Sequence, residues 1–229
     1  MYGLERSRII QDTPYGKLIS TETDADGNCF FHAYLQSTEA ETYSGYNTER
    51  RRKRVQTIRN YIDSQLKPID IYELVDPTSF ETIQTVIDKW LKENGHESIV
   101  FHSDKMSIRG YVEEVEKKYP EVIKEEKFIE HIHELIQYYG KEIKRYLLKD
   151  GTWMFDTLIP LFSKVMKVDI VFISSSTHKP VQLAVRGGYE HVIIMYHLGN
   201  HFESMGILHK DEIIRVFTQE AIKKLFGEY

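Results

Sequence analysis

The sequence predicts an α+β fold, a small central β-sheet flanked by helices, with a helical lobe inserted in mid-chain. Three observations carry the prediction. Apolar residues recur at three- and four-residue steps from Glu49 to Leu66 and again through most of residues 67–148. β-Branched runs bounded by turn residues gather after Asp150-Gly151. No internal repeat, low-complexity tract or Pro/Ser-rich linker interrupts the chain, so one domain over 1–229 with a helical insertion at about 67–148 is expected.

Taken in order, Thr23 to Asn28 is a turn-forming cluster, and Cys29 to Gln36 follows it as a buried helix carrying Phe30, Phe31, Ala33, Tyr34 and Leu35. Val55, Ile58, Ile62 and Leu66 mark an amphipathic helix whose first turns hold Arg50 to Arg54; that basic run opposes the helix dipole and reads as a solvated face. Pro77-Thr78 with Glu81 resembles a capping box for a helix bearing Ile83, Ile87, Trp90 and Leu91 and ending near Asn94-Gly95. A less regular stretch around Gly110 and Pro120 follows. Phe128, Ile132, Leu135, Tyr139, Ile143 and Leu147 then keep helical spacing over about five turns. Beyond Gly151, Trp153 to Lys167 reads as one more helix. Val168–Ile173, Val181–Val185, His191–Tyr196 and Phe202–Leu208 read as strands, and Thr218–Phe226 as a closing helix.

Composition narrows the function classes. With 41% apolar residues among 229, the chain can bury a full core, and a monomer is expected. A net charge of −5, from 30 basic and 35 acidic side chains, gives no general attraction to nucleic acid. The longest strong apolar run, Val192 to Tyr196, is far short of a membrane span. A single cysteine forms no internal disulfide, and the first twenty residues hold no signal-peptide-like run, so the chain reads as cytoplasmic.

That cysteine falls at a helix start, where free amides and the dipole favour a thiolate. The Asp26-Gly27-Asn28 turn could aim the backbone N–H groups of Asp26, Gly27, Asn28 and Cys29 at an oxyanion. A lone cysteine is more often a small core residue, so a partner is needed. His201, in a Gly-containing turn between two apolar strands, is singled out by that context. His197 and His201 have zinc-like spacing, but Gly199-Asn200 breaks any helix between them; no metal site or cofactor is expected. Phosphate-binding glycine loops are absent from the sequence.

Asp26-Gly27-Asn28-Cys29-Phe30-Phe31-His32-Ala33 resembles the nucleophile motif of the ovarian tumour (OTU) family, papain-like cysteine proteases that act as deubiquitinases. In that motif Asp-Gly-Asn-Cys precedes two bulky residues, a basic one and a small one. Arg59-Asn60-Tyr61-Ile62, Gly151-Thr152-Trp153 and Asn200-His201-Phe202 resemble further family segments in the same order. The resemblance covers the chain to about residue 66 and from about 150 to 208. It implies Cys29 as nucleophile, His201 as base, ubiquitin or polyubiquitin as partner, and no cofactor. The family places the ring-orienting group two residues after the histidine or upstream near the cysteine. Here those positions hold Glu203, ranked first because strand alternation would set it beside His201, and Asp26. Phe202, with Asn200, resembles the border of the channel for ubiquitin's tail. The long interval between Cys29 and Trp153 is similar to bacterial effector members, which would act in a host cytoplasm. A ubiquitin-binding adaptor without turnover is the alternative.

Overall fold

The computed structural model describes residues 6–75, 80–99, 107–181 and 187–227. The chain divides into two compact units, 1–62 with 147–229, and 63–146.

The first unit is built on a mixed sheet. β1 (Ser7–Thr13) and β2 (Gly16–Thr21) form an N-terminal hairpin that the sequence reading did not foresee. β3 (Val168–Ser174), β4 (His191–His197) and β5 (Phe202–His209) follow after the helices. The order is β1-β2-β5-β4-β3, with β3 and β4 parallel and the other neighbours antiparallel. The short β6 (Glu212–Ile214) and β7 (Val216–Phe217) pair with β5 and β4. The expected strand at Val181–Val185 falls mostly on residues outside those described.

Helix α1 (Cys29–Thr38) is followed by α2 (Ala40–Ser44) and α3 (Thr48–Gln65). Phe30, Phe31 and Phe162 pack edge to face, with Phe30 and Phe162 centroids 4.9 Å apart. Another cluster gathers Leu18, Val171, Ile194, Met205 and Ile207 against Phe217 and Ile222. Ile222 belongs to α9 (Gln219–Phe226), capped by the Thr218 hydroxyl, which accepts from Ala221 N. With both faces covered, β3 is buried from Val168 to Ile173, which explains why it reads as an unbroken apolar run.

The second unit's described elements are all helical, namely α4 (Pro68–Glu73), α5 (Phe80–Glu93), α6 (Ile108–Lys118), a 3₁₀ turn at Val122–Lys124, and α7 (Glu126–Leu148), whose last residues belong to the first unit. α6 fills what the sequence suggested was irregular. Gly110 in its first turn blurs the pattern, yet Ser107 caps it at Gly110 N and Ile108, Tyr111 and Val115 are buried. Tyr111 donates to Asp88 at 3.0 Å and Trp90 packs on Phe128. Pro77 and Thr78 of the expected capping box lie outside the described residues.

One expected helix is shorter than predicted. Trp153–Phe155 lie outside any helix, a 3₁₀ turn spans Asp156–Leu158, and α8 covers Ile159–Met166. Pro160 lacks an N–H and fits a first helical turn, so the α-helix begins beside it and leaves Trp153 and Phe155 exposed. Among the described residues no helix is long and apolar enough to cross a membrane.

Candidate active site

Cys29 is the first residue of α1. The loop before it is fastened by glycine geometry and by a buried arginine. Gly27 has φ +82°, and a Cβ there would fall 2.0 Å from Gly151 O, so only glycine lets the two loops meet. The Asn28 side chain, instead of capping α1, donates to Asp150 Oδ1 at 2.9 Å and accepts from Arg59 at 2.8 Å. Arg59, 1% exposed, also donates to the carbonyls of Leu147 (2.9 Å) and Thr152, and its guanidinium lies 4.2 Å over Phe31.

The basic run is a solvated face only in part, with Arg50 and Lys53 exposed. Arg51 pairs with Asp24 at 3.2 Å and Arg52 with Asp26 at 3.4 Å, tying α3 to the segment leading into Cys29, while Arg54 pairs with Glu39 at the far end of α1. Dipole logic alone missed this, because the partners lie up to 27 positions upstream.

Burial pushes the Cys29 thiol up from its ordinary value, against the opposing pull of N–H groups from Phe202, Phe30 and Cys29 itself. The helix-start argument predicted the opposite sign; with the residue 5% exposed, desolvation outweighs the amides. Of the four expected oxyanion donors, Asn28 N is occupied: it donates to Asp26 Oδ1 at 3.0 Å.

Asp26 organises the turn. Burial works against its charge, yet His32 and the Asn28 donors hold the carboxyl below its ordinary range. His32, itself buried and pushed down in pKa by that burial, bridges Asp26 Oδ1 at 3.0 Å and the Tyr43 hydroxyl.

His201 sits half-buried just before β5, with Nε2 3.1 Å from Thr23 Oγ1. Thr23 also donates to Phe202 O at 2.6 Å. Neither carboxylate expected to orient the ring is bonded to it. Glu203, 3% exposed, accepts from Arg8 at 2.8 Å and from Ser20. The strand begins at Phe202 as expected, but the Glu203 carboxylate is engaged by β1 and β2, through Arg8 and Ser20. Phe202 is buried, packed on Phe30, Phe172 and His197, so its peptide faces the site and its ring faces the core. Asn200 is exposed on the turn, its N–H donating to Leu198 O. Thr23 and Arg59 escaped sequence reasoning as site residues; Thr23 is reached only once the β2–β5 register is known. Among the described residues, no cluster of three His, Cys, Asp or Glu could hold a metal ion.

By structure the chain is similar to OTU domains. One is an OTU domain solved in complex with ubiquitin, with a TM-score of 0.47, 12% identity, and coverage of 93% of this chain and 82% of that one. A second is an OTU deubiquitinase from Wolbachia pipientis wMel, with a TM-score of 0.35, 14% identity and coverage of 83% and 88%. A third is the Hazara virus OTU bound to ubiquitin, with a TM-score of 0.34, 13% identity and coverage of 90% and 99%. No protein-family model matches the sequence, and no curated protein matches it.

Proposed function

We propose that this chain is an OTU-type cysteine deubiquitinase that hydrolyses isopeptide bonds at the C-terminus of ubiquitin, with Cys29 as nucleophile and His201 as general base. The observation that carries the reading is the edge-to-face packing of Phe30, the residue after Cys29, on Phe202, the residue after His201, with ring centroids 5.5 Å apart. That contact joins the two motif segments, distant in sequence, and agrees with the downward pull of the Phe202 N–H on the Cys29 thiol.

In this reading His201 takes the thiol proton as sulfur attacks the terminal carbonyl carbon of ubiquitin. Collapse of the tetrahedral intermediate breaks the C–N bond, and the same proton passes from His201 to the leaving lysine amine. A thioester remains. Water, giving a proton to His201, then cleaves it, and the proton returns to sulfur. Amides at the start of α1, Cys29 N among them, would hold the oxyanion, while Asn28 N keeps Asp26 in place.

A ubiquitin probe with an electrophilic C-terminus tests the reading. Wild type is expected to be labelled at Cys29, Cys29→Ala to stay unlabelled, and His201→Ala to lose about 10²- to 10⁴-fold in kcat while still binding ubiquitin. The second reading, a ubiquitin-binding adaptor, draws on the deep burial of Cys29. Ubiquitin binding without labelling would favour it.

A further inference from the structure

β2 ends at Thr21, opposite Ser204 of β5. Carrying that antiparallel register two residues further sets Thr23 against Phe202, and there a side chain takes over from the backbone: Thr23 Oγ1 donates to Phe202 O at 2.6 Å. The residue is 2% exposed, so water does not compete for the hydroxyl. The same oxygen lies 3.1 Å from His201 Nε2.

A threonine hydroxyl has one hydrogen and two lone pairs, whereas a carbonyl oxygen only accepts. Two oxygens at 2.6 Å are held by a proton between them, so the hydroxyl hydrogen is committed to Phe202. What remains for the imidazole is a lone pair. Nε2 must therefore carry a proton, and in the neutral ring Nδ1 is bare.

We propose that Thr23 is the positioning residue of this site: by accepting the Nε2 proton it selects the His201 tautomer whose Nδ1 can take a proton from the thiol. This rests on the reading of His201 as the base for Cys29. It gives a neutral hydroxyl the task expected of Glu203 or Asp26, whose carboxylates are held by Arg8 and Ser20 and by His32, Arg52 and the Asn28 amide. Because Thr23 is fixed by the peptide that follows the histidine, ring and orienter move as one unit.

Nitrogen-15 NMR of histidine-labelled protein reads the tautomer directly, with the His201 signals assigned by their loss in His201→Gln. At a pH where the ring is neutral, wild type is expected to show Nε2–H. Thr23→Val, of similar shape but without a hydroxyl, should show Nδ1–H in part or in full, and Thr23→Ser should restore the wild-type pattern. In hydrolysis of a fluorogenic ubiquitin substrate, Thr23→Val should lower kcat about 10- to 100-fold with KM within about twofold, and Thr23→Ser should recover most of the rate. An Nδ1–H ring in wild type overturns the proposal even if Thr23→Val does not fold, and so does an unchanged tautomer in a folded Thr23→Val. The NMR measurement needs no turnover. Absent labelling by the ubiquitin probe would thus remove the functional reading and leave the tautomer result standing by itself.

Discussion

Replacing Arg59 by methionine tests whether the nucleophile loop is held by that guanidinium. The substitution keeps much of the aliphatic stem but removes donors to Leu147 O, Thr152 O and Asn28 Oδ1. Asn28 Oδ1 retains the Gly151 N–H at 3.4 Å, so two carbonyls are left without this donor. Each buried acceptor left unmade costs about 1–3 kcal/mol, and the contact with the Phe31 face adds about 1 kcal/mol. Together these give a loss of at least about 3 kcal/mol. With a urea m value of about 2 kcal/mol/M the unfolding midpoint falls by about 1.5 M. Arg59→Lys, which keeps the charge without the planar fork, should lose about half as much. Gln56→Ala is the control, since it removes one bond to the next carbonyl, Leu148 O at 3.2 Å, and should cost about 1 kcal/mol or less. The second readout is alkylation of Cys29 under native conditions, which should quicken once Asn28 is released. A midpoint for Arg59→Met within about 0.3 M of wild type, with alkylation unchanged, would refute the reasoning.

Gly27→Ala should cost at least about 3 kcal/mol in thermal or urea unfolding, because the left-handed backbone and the approach of Gly151 O both penalise a Cβ; Gly188→Ala, at φ +75° but facing open space, should cost about 1 kcal/mol, and equal losses would defeat the argument. The raised Cys29 pKa sets a pH dependence: the unfolded chain gives up its thiol proton first, near pH 8.5, so the stability linked to Cys29 is intact below about that pH and is lost as pH rises through the folded value. Urea series from pH 7 to 10 should therefore show wild type losing stability relative to Cys29→Ala, and parallel curves would contradict the burial argument.

Helices and buried strands were legible where one face or the whole segment is apolar. α7 and β3 to β5 reach the core through periodicities that survive in the sequence, and their bounds match the spacing closely. The β1–β2 hairpin was not legible because β1 is mostly solvent-facing, and only Leu18 to Thr21 of β2 are buried. Such an edge carries little hydrophobic pattern. The 153–167 helix was overextended because apolar spacing continues through Trp153 and Leu158 although Pro160 dictates where the turn can start.

The site was legible in its motif and not in its support. Cys29 and His201 stand in recognisable local settings, whereas Arg59, Arg51 and Thr23 act on groups 27 or more positions away, where no short pattern records the contact. Glu203 drew attention through spacing alone, and Arg8 and Ser20, both from the hairpin the sequence concealed, explain why its carboxylate is turned elsewhere. The hairpin that was missed thus supplies both groups that hold this carboxylate.

The electrostatics of the site agree with a neutral orienter. A carboxylate on Nε2 would favour an imidazolium and so draw the thiol proton across before substrate arrives. Here the sulfur is buried, the nearby Asp26 charge disfavours a thiolate, and the group on Nε2 is a hydroxyl whose own proton is engaged by Phe202. Under the proposed function, the thiol then keeps its proton at rest, and proton transfer accompanies attack on the carbonyl. Under that proposal, alkylation of Cys29 by a small reagent is expected to be slow in the free protein, and fast thiolate-like alkylation at neutral pH would contradict the buried, protonated thiol.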